Sequence, residues 1–334
     1  MKKTCIIAEI GQAHDGSLGT VYAYIDALAK TGVDVIKFQM HIAEAESSIQ
    51  EPFRVKFSKQ DASRMDYWKR MEFTFEQWQG IKKHCEDLGM EFMASPFSNS
   101  AVELLEKLNV RRYKIGSGEV NNLLIIQKIA ETRKPILISS GMSSYKEIDQ
   151  TIKFLEPFGN PLSILQCTTA YPTEPEEWGL NIITELKKKY NMPVGFSDHS
   201  GDIYACLAAA VLGSEIFEFH VVFDKRQFGP DTSSSITIEQ TKRLVIGIKD
   251  IRKSLFHPIN KSDNKKFSKL KDIFEKSLSV NKDLPEGHVI SFSDLEAKKP
   301  AKMGVAASKF KDIIGKELIN NLKKWDFINY QDLK

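Results

Sequence analysis

Lys37 in VIKFQ and Lys114 in RRYKIGSG sit inside otherwise apolar runs, where a charge without a partner is costly to bury. Two inward ammonium groups at one mouth would repel each other unless an anion lay between them. A phosphate held also by the hydroxyls of Ser95, Ser117 and Ser139 would satisfy both. The alternative is that each lysine pairs with a local carboxylate such as Glu9 or Glu119. His199 in GFSDH and His220 in IFEFH close two successive apolar runs. Adjacent strands lie about 4.8 Å apart, so both imidazoles can reach one ion. Two nitrogens plus water and substrate oxygens suit a divalent metal with open positions, although a lone histidine is more often a satisfied hydrogen-bonding residue. His14 and His41 fall in loops, where an ordinary structural role is the commoner one, and are kept as candidates for outer or substrate contacts.

These residues need elements to aim them. Short apolar, β-branched runs recur at 5–11, 35–39, 91–97, 111–118, 135–141, 163–171, 193–199 and 216–222, each followed by a stretch with helical spacing. Strands apolar on both faces and alternating with helices indicate a parallel sheet covered by helices. Eight such units in about 255 residues match a closed (β/α)8 barrel, whose chemistry lies at the C-terminal strand ends. The candidates fall there: Glu9, Lys37, Gln39, Ser95, Lys114, Ser117, Glu119, Ser139, Tyr171, Ser197, His199 and His220. An open doubly wound sheet would usually carry a GxGxxG turn after its first strand, and GQAHDGSLG does not fit. Residues 40–73 form an unusually long connection containing Phe53, Phe57, Tyr67, Trp68 and Phe73. An ordered lid or hairpin over the barrel mouth is expected.

The chain has 334 residues and a formal charge of +3, too slight to indicate nucleic acid or a membrane surface. No apolar stretch reaches the roughly 18 residues of a membrane span. MKKTCIIAEIG reads as a first strand rather than a signal peptide, so a cytoplasmic protein is expected. The four cysteines have no metal-like spacing. Residues 256–334 hold 16 Lys, no Arg and 11 acids, whereas the first 255 carry a net −2. That shift sets the expected domains: a barrel over 1–255, a linker over 256–275 and a small module over 276–334. The module should have short strands, a turn at PEGH and a short helix in KFKDIIGKEL.

AEIGQAHDGS, KFQ, SPF, YKIGSGEVNN, ISSGM, QCTTAYP, GFSDH and the later GPD, in this order, resemble the sialic acid synthase family, the phosphoenolpyruvate-dependent nonulosonic acid synthases. PEGHVISFSDLEAKKP and IIGKEL are similar to that family's antifreeze-like (SAF) domain. The resemblance covers nearly the whole chain. It implies a TIM barrel followed by that domain, and condensation of phosphoenolpyruvate with an N-acylated hexosamine to a nine-carbon 2-keto acid and phosphate. It also implies a divalent metal, manganese or magnesium, and a domain-swapped homodimer. Carried onto this sequence, it implies phosphoenolpyruvate contacts at Lys37, Ser95, Lys114, Ser117, Ser139 and Ser197, with metal ligands at His199 and His220. Sugar contacts would fall on Gln39, Tyr171 and Asp231, and acid, base or positioning carboxylates on Glu9 and Glu119. The departures lie on the sugar side: Thr169 where relatives often have Asn, QFGPD in place of the more usual version, and Lys299 before Pro300 where Arg is usual. Lys offers a point charge and no fork. A catalytically silent sugar-binding barrel and a Schiff-base aldolase using Lys37 or Lys114 are the alternative readings.

Overall fold

The computed structural model describes residues 4–55 and 57–334. Residues 1–3 of the expected first strand, and Lys56 of the long connection, lie outside the described residues. Cα packing divides the chain into two compact units, 1–257 and 258–334.

In the first unit all eight expected strands form: β1 Cys5–Glu9, β2 Val35–Met40, β3 Glu91–Pro96, β4 Tyr113–Ile115, β5 Ile136–Ser139, β6 Leu162–Cys167, β7 Val194–Asp198 and β8 Ile216–Val222. Every ladder between them is parallel, and the order runs β3-β2-β1-β8-β7-β6-β5-β4. The fold is a (β/α)8, TIM-type barrel. Among the described residues no ladder joins β3 to β4. That seam is spanned at its lower edge by Arg112, whose Nε and Nη2 donate to Glu91 at 2.7 and 2.6 Å. Helices start where Ser or Thr can accept a free backbone N–H. Ser17, Ser98, Ser144 and Thr237 each do so, and Ser144 and Thr237 complete capping boxes with Glu147 and Gln240. Outward strand residues such as Phe38, Phe217 and Phe219 pack under these helices.

The long connection is ordered, but it is helical and not a hairpin. Helices Ala43–Glu46 and Arg64–Met71 lie within it. Ala43, Tyr67, Trp68 and Met71 bury a small core of their own, with Phe53, Phe57 and Met65 against it. That core meets the entropy of ordering so long a segment.

The second unit is built on an antiparallel pair, Ser277–Val280 with Leu295–Lys298. It surrounds a core of Leu278, Val280, Leu284, Ile290, Val305, Ile313, Leu318, Leu322 and Ile328. The segment expected as a linker, 256–275, carries a helix, Ser268–Phe274. The turn at PEGH has Gly287 at φ +80°, and a 3-10 helix occupies Ala307–Asp312. Buried Asp294 accepts from Ser291 N and Oγ at 2.8 Å each, from His288 Nε2 at 2.9 Å and from Lys282 Nζ at 2.7 Å. Burial opposes its charge, but these partners outweigh burial and hold the carboxyl below the usual range. Its contribution is therefore full above the unfolded carboxyl value of about 3.9 and is lost as pH falls towards the lower folded one. Asp294→Asn should cost about 1.5–3 kcal/mol at neutral pH and flatten the acid limb. Hydrogen exchange of the Ser277–Val280 amides against pH checks both.

Candidate active site

Side chains alternate along a strand, and one parity fills the barrel. Its lower layer is apolar: Ile7, Val35, Met93, Leu137, Leu165 and Ile216 pack together. Two residues further along the same strands stand Glu9, Lys37, Ser95, Ser139, Cys167 and Glu218. Register then sets neighbours side by side. Glu9 lies across from Lys37 on one edge and His220 on the other, Gln39 across from Ser95, and Ser197 across from Glu218.

Above this layer opens a cavity of about 400 Å³. It is lined by Glu9, Lys37, Gln39, His41, Ser95, Lys114, Ser117, Glu119, Ser139, Tyr171, Ser197, His199, His220 and Asp231. Of the residues singled out from the sequence, Lys299 and His14 are not among them. His14 is buried beside Phe73, its Nδ1 accepting from Gly16 N–H at 3.0 Å. Lys299 is exposed in the second unit, its Nζ 4.9 Å from the Phe274 ring centre.

The charges at the floor are paired by the protein itself. Lys37 Nζ forms an ion pair with Glu9 Oε2 and lies 3.3 Å from Ser95 Oγ and 3.8 Å from Glu218 Oε1. Lys114 Nζ donates to Glu218 Oε1 at 2.6 Å, and Ser197 Oγ donates to the same oxygen at 3.2 Å. The anion between the two ammonium groups is thus the Glu218 carboxylate, and Glu9 rather than Glu119 is the local partner of Lys37. Burial opposes charge on Glu218, yet Lys114 and Lys37 outweigh it and hold the carboxyl well below its usual range. Burial likewise opposes charge on Lys37, but Glu218 and Glu9 raise it. An amine kept protonated is a poor nucleophile, which speaks against a Schiff base at Lys37. Glu9 Oε1 and Glu218 Oε2 are buried with no hydrogen-bond partner among the described residues. Glu119 stands apart, in the turn after β4, accepting from Asn122 Nδ2 at 2.7 Å. Burial, helped by Glu46, pushes its carboxyl up.

The two imidazoles face each other with ring centres 5.4 Å apart. His199 Nδ1 bonds the Thr168 carbonyl at 2.9 Å, so its Nε2 is left for a ligand. Burial works against charge on this ring, but Cys167, 3.9 Å from Nδ1, and the Thr168 carbonyl push it up to about 9. Acceptors that stabilise a proton on the ring would also stabilise a cation bound to it. Burial keeps His220 low, as an uncharged donor. The pair fits a divalent ion as two nitrogen ligands, and among the described residues no cluster of three His, Cys, Asp or Glu adds a third. Tyr171 stacks on His199 at 4.2 Å. Arg54 from the long connection lies 4.2 Å over Tyr171 and pairs with Asp231 Oδ1 at 2.6 Å.

Glu218 escaped sequence reasoning although its signal was the one used for the lysines, a charge inside the apolar run IFEFHVV. Gln12, Cys167, Arg54 and Arg64 also line the cavity. Arg54 comes from irregular chain, where no periodicity assigns a direction, and Arg64 opens the short helix Arg64–Met71, whose apolar period is poor.

The family profile described as "NeuB family" matches residues 24–259. The N,N'-diacetyllegionaminic acid synthase of Campylobacter jejuni subsp. jejuni serotype O:2 is 33% identical over 98% of this chain and 99% of that protein. The human N-acetylneuraminate-9-phosphate synthase is 30% identical over 97% of this chain and 90% of its own length. Among solved structures, an N-acetylneuraminic acid (sialic acid) synthetase from Leptospira borgpetersenii serovar Hardjo-bovis, in complex with citrate, superposes with a TM-score of 0.70. It is 26% identical and covers 80% of this chain and 90% of that one.

Proposed function

This chain belongs to the NeuB family, the sialic acid synthases, and on that premise we propose that it condenses phosphoenolpyruvate with an N-acylated hexosamine. The product is a nonulosonic acid of the sialic or legionaminic type, released with phosphate. The chain is an enzyme, a transferase of the N-acetylneuraminate-synthase kind. The observation that carries the reading is the buried Lys37–Glu218–Lys114 cluster, ringed by Ser95, Ser139 and Ser197, beneath the His199–His220 pair in one cavity.

In this reading the phosphate and carboxylate of phosphoenolpyruvate take the place of Glu218 on the two ammonium groups. The serine hydroxyls, Ser117 among them, donate to the remaining oxygens. The acceptor lies above, against Gln39, Tyr171 and Asp231. His199 and His220 would hold Mn2+ or Mg2+, which when bound supplies Lewis-acid polarisation of the acceptor carbonyl. Glu119, pushed up by burial, is suited to hold and pass a proton. Glu9 keeps Lys37 charged and directed at the phosphate. The cytoplasmic location expected from the sequence is part of the same proposal, supported by four cysteines that are all free.

The test is phosphate release from phosphoenolpyruvate and manganese with N-acetylmannosamine, its 6-phosphate and a 2,4-diacetamido-trideoxyhexose. Release with one or more is expected; none with any would end the reading. The homodimer, with Lys299 of one copy serving the acceptor of the other, is a further part of the proposal. Cutting the chain after residue 257 should leave a folded barrel whose acceptor KM has risen. An unchanged acceptor KM, or a monomeric mass for the full chain, would refute that part.

A further inference from the structure

His41 is buried and clamped between two rings, Trp68 at 3.8 Å and 20° on one face and Phe97 at 4.7 Å and 9° on the other. So held, it cannot turn, and both its nitrogens are engaged. Nδ1 lies 2.6 Å from Glu46 Oε1, and Nε2 lies 3.3 Å from Gln12 Nε2 and 3.3 Å from Gln39 Oε1. Gln12 Nε2 also donates to Gln39 Oε1.

One assignment of protons gives every group in the set a partner and leaves the 3.3 Å approach of His41 Nε2 to Gln39 Oε1 as a contact between two acceptors that both receive from Gln12. A carboxylate can only accept, so Glu46 takes the Nδ1–H of His41. The Nε2 lone pair then accepts one N–H of Gln12, and the other N–H of Gln12 goes to Gln39 Oε1. With its oxygen fixed there, the Gln39 amide must turn its two N–H groups the other way. They point past Gly11, where an added Cβ would sit 3.5 Å from Gln39 Nε2 and 3.4 Å from His220 Nδ1.

We propose that Glu46, His41 and Gln12 form a positioning relay that sets the orientation of the Gln39 amide, so that it presents N–H donors to an acceptor oxygen beside His220. Trp68 and Glu46 both belong to the long connection after β2, so packing of that segment is transmitted to the acceptor. An amide turned the other way would offer its oxygen to oxygens and would reject the same ligand. The relay acts on acceptor recognition and leaves phosphoenolpyruvate alone. Among the described residues, the groups at hydrogen-bond distance from His41 or stacked on it are Gln12, Gln39, Glu46, Trp68 and Phe97, and not Lys37, Lys114 or the serines. This inference rests on the synthase reading above.

The experiment uses the full-length protein, phosphoenolpyruvate and the acceptor that the unsubstituted protein turns over. His41→Phe keeps a ring between Trp68 and Phe97 and removes both nitrogens. It should raise the acceptor KM about tenfold, the worth of a hydrogen bond or two, with the phosphoenolpyruvate KM changed less than about twofold. Glu46→Ala should shift the same constant in the same direction, and serves alone should His41→Phe fail to fold. Because His41 acts through Gln39, His41→Phe placed in a Gln39→Ala background should change the acceptor KM by less than about twofold. An unchanged acceptor KM, equal rises in both KM values, or the full effect persisting without Gln39 would overturn the relay. Absence of turnover by the unsubstituted protein with every acceptor is a different result, and strikes the synthase reading itself.

Discussion

Glu218→Gln should lose about 3–5 kcal/mol of stability, because it removes the carboxylate that Lys114 donates to and that stands beside Lys37. Lys37 retains Glu9, so the loss falls mainly on Lys114. The same change leaves an uncompensated positive charge at the floor of the cavity. Phosphoenolpyruvate, or inorganic phosphate as its simplest stand-in, should then bind more tightly than to the unsubstituted protein, where it must displace Glu218. Ligand at 100 times its dissociation constant stabilises by about 2.7 kcal/mol, so much of the lost stability should return on titration. Thermal unfolding with and without anion measures both halves. A variant as stable as the parent, or one indifferent to anion, would show that Glu218 does not hold the place of the phosphate.

His220→Ala should remove metal-dependent turnover while the fold survives, since the side chain projects into a cavity. Polarisation of a carbonyl by a bound ion is worth several kcal/mol, and each 1.36 kcal/mol is tenfold in rate. The expected fall is on the order of 10²–10³. Manganese titrations followed by calorimetry on chelator-treated protein should show weakened binding alongside an unchanged circular dichroism spectrum. Parental rates, or unaltered manganese affinity, would discard His220 as a ligand.

The barrel was legible because its strands are apolar on both faces and because a period of two ties each plug residue to the polar one above it. Ile7 leads to Glu9, Val35 to Lys37 and Gln39, and Ile216 to Glu218 and His220. Counting back by two from His220 would have found Glu218; reading IFEFHVV as a uniformly apolar run concealed it. The helix Arg64–Met71 was also marked, by Ser63 three residues before Asp66, which form a capping box. A charged, aromatic-rich stretch hid that signal behind a poor apolar period. What no pattern could give was direction in irregular backbone. That Arg54 lies over Tyr171 depends on contact between segments far apart in the chain, and that His41 is fixed by Glu46 depends on how the chain turns into the short helix Ala43–Glu46 just after β2.

The seam between β3 and β4 has a mechanical meaning for the substrate's grip. Lys37 rides on β2 and Lys114 on β4, so the pair straddles the one gap in the ladder among the described strands. At this seam the strands are joined by a side-chain clasp, Arg112 on Glu91, where elsewhere around the ring the backbone hydrogen bonds of the ladder set the spacing. On the proposed reading, the two ammonium groups that would grip the phosphate are therefore carried on either side of a seam closed by a side-chain bridge instead of a continuous backbone ladder.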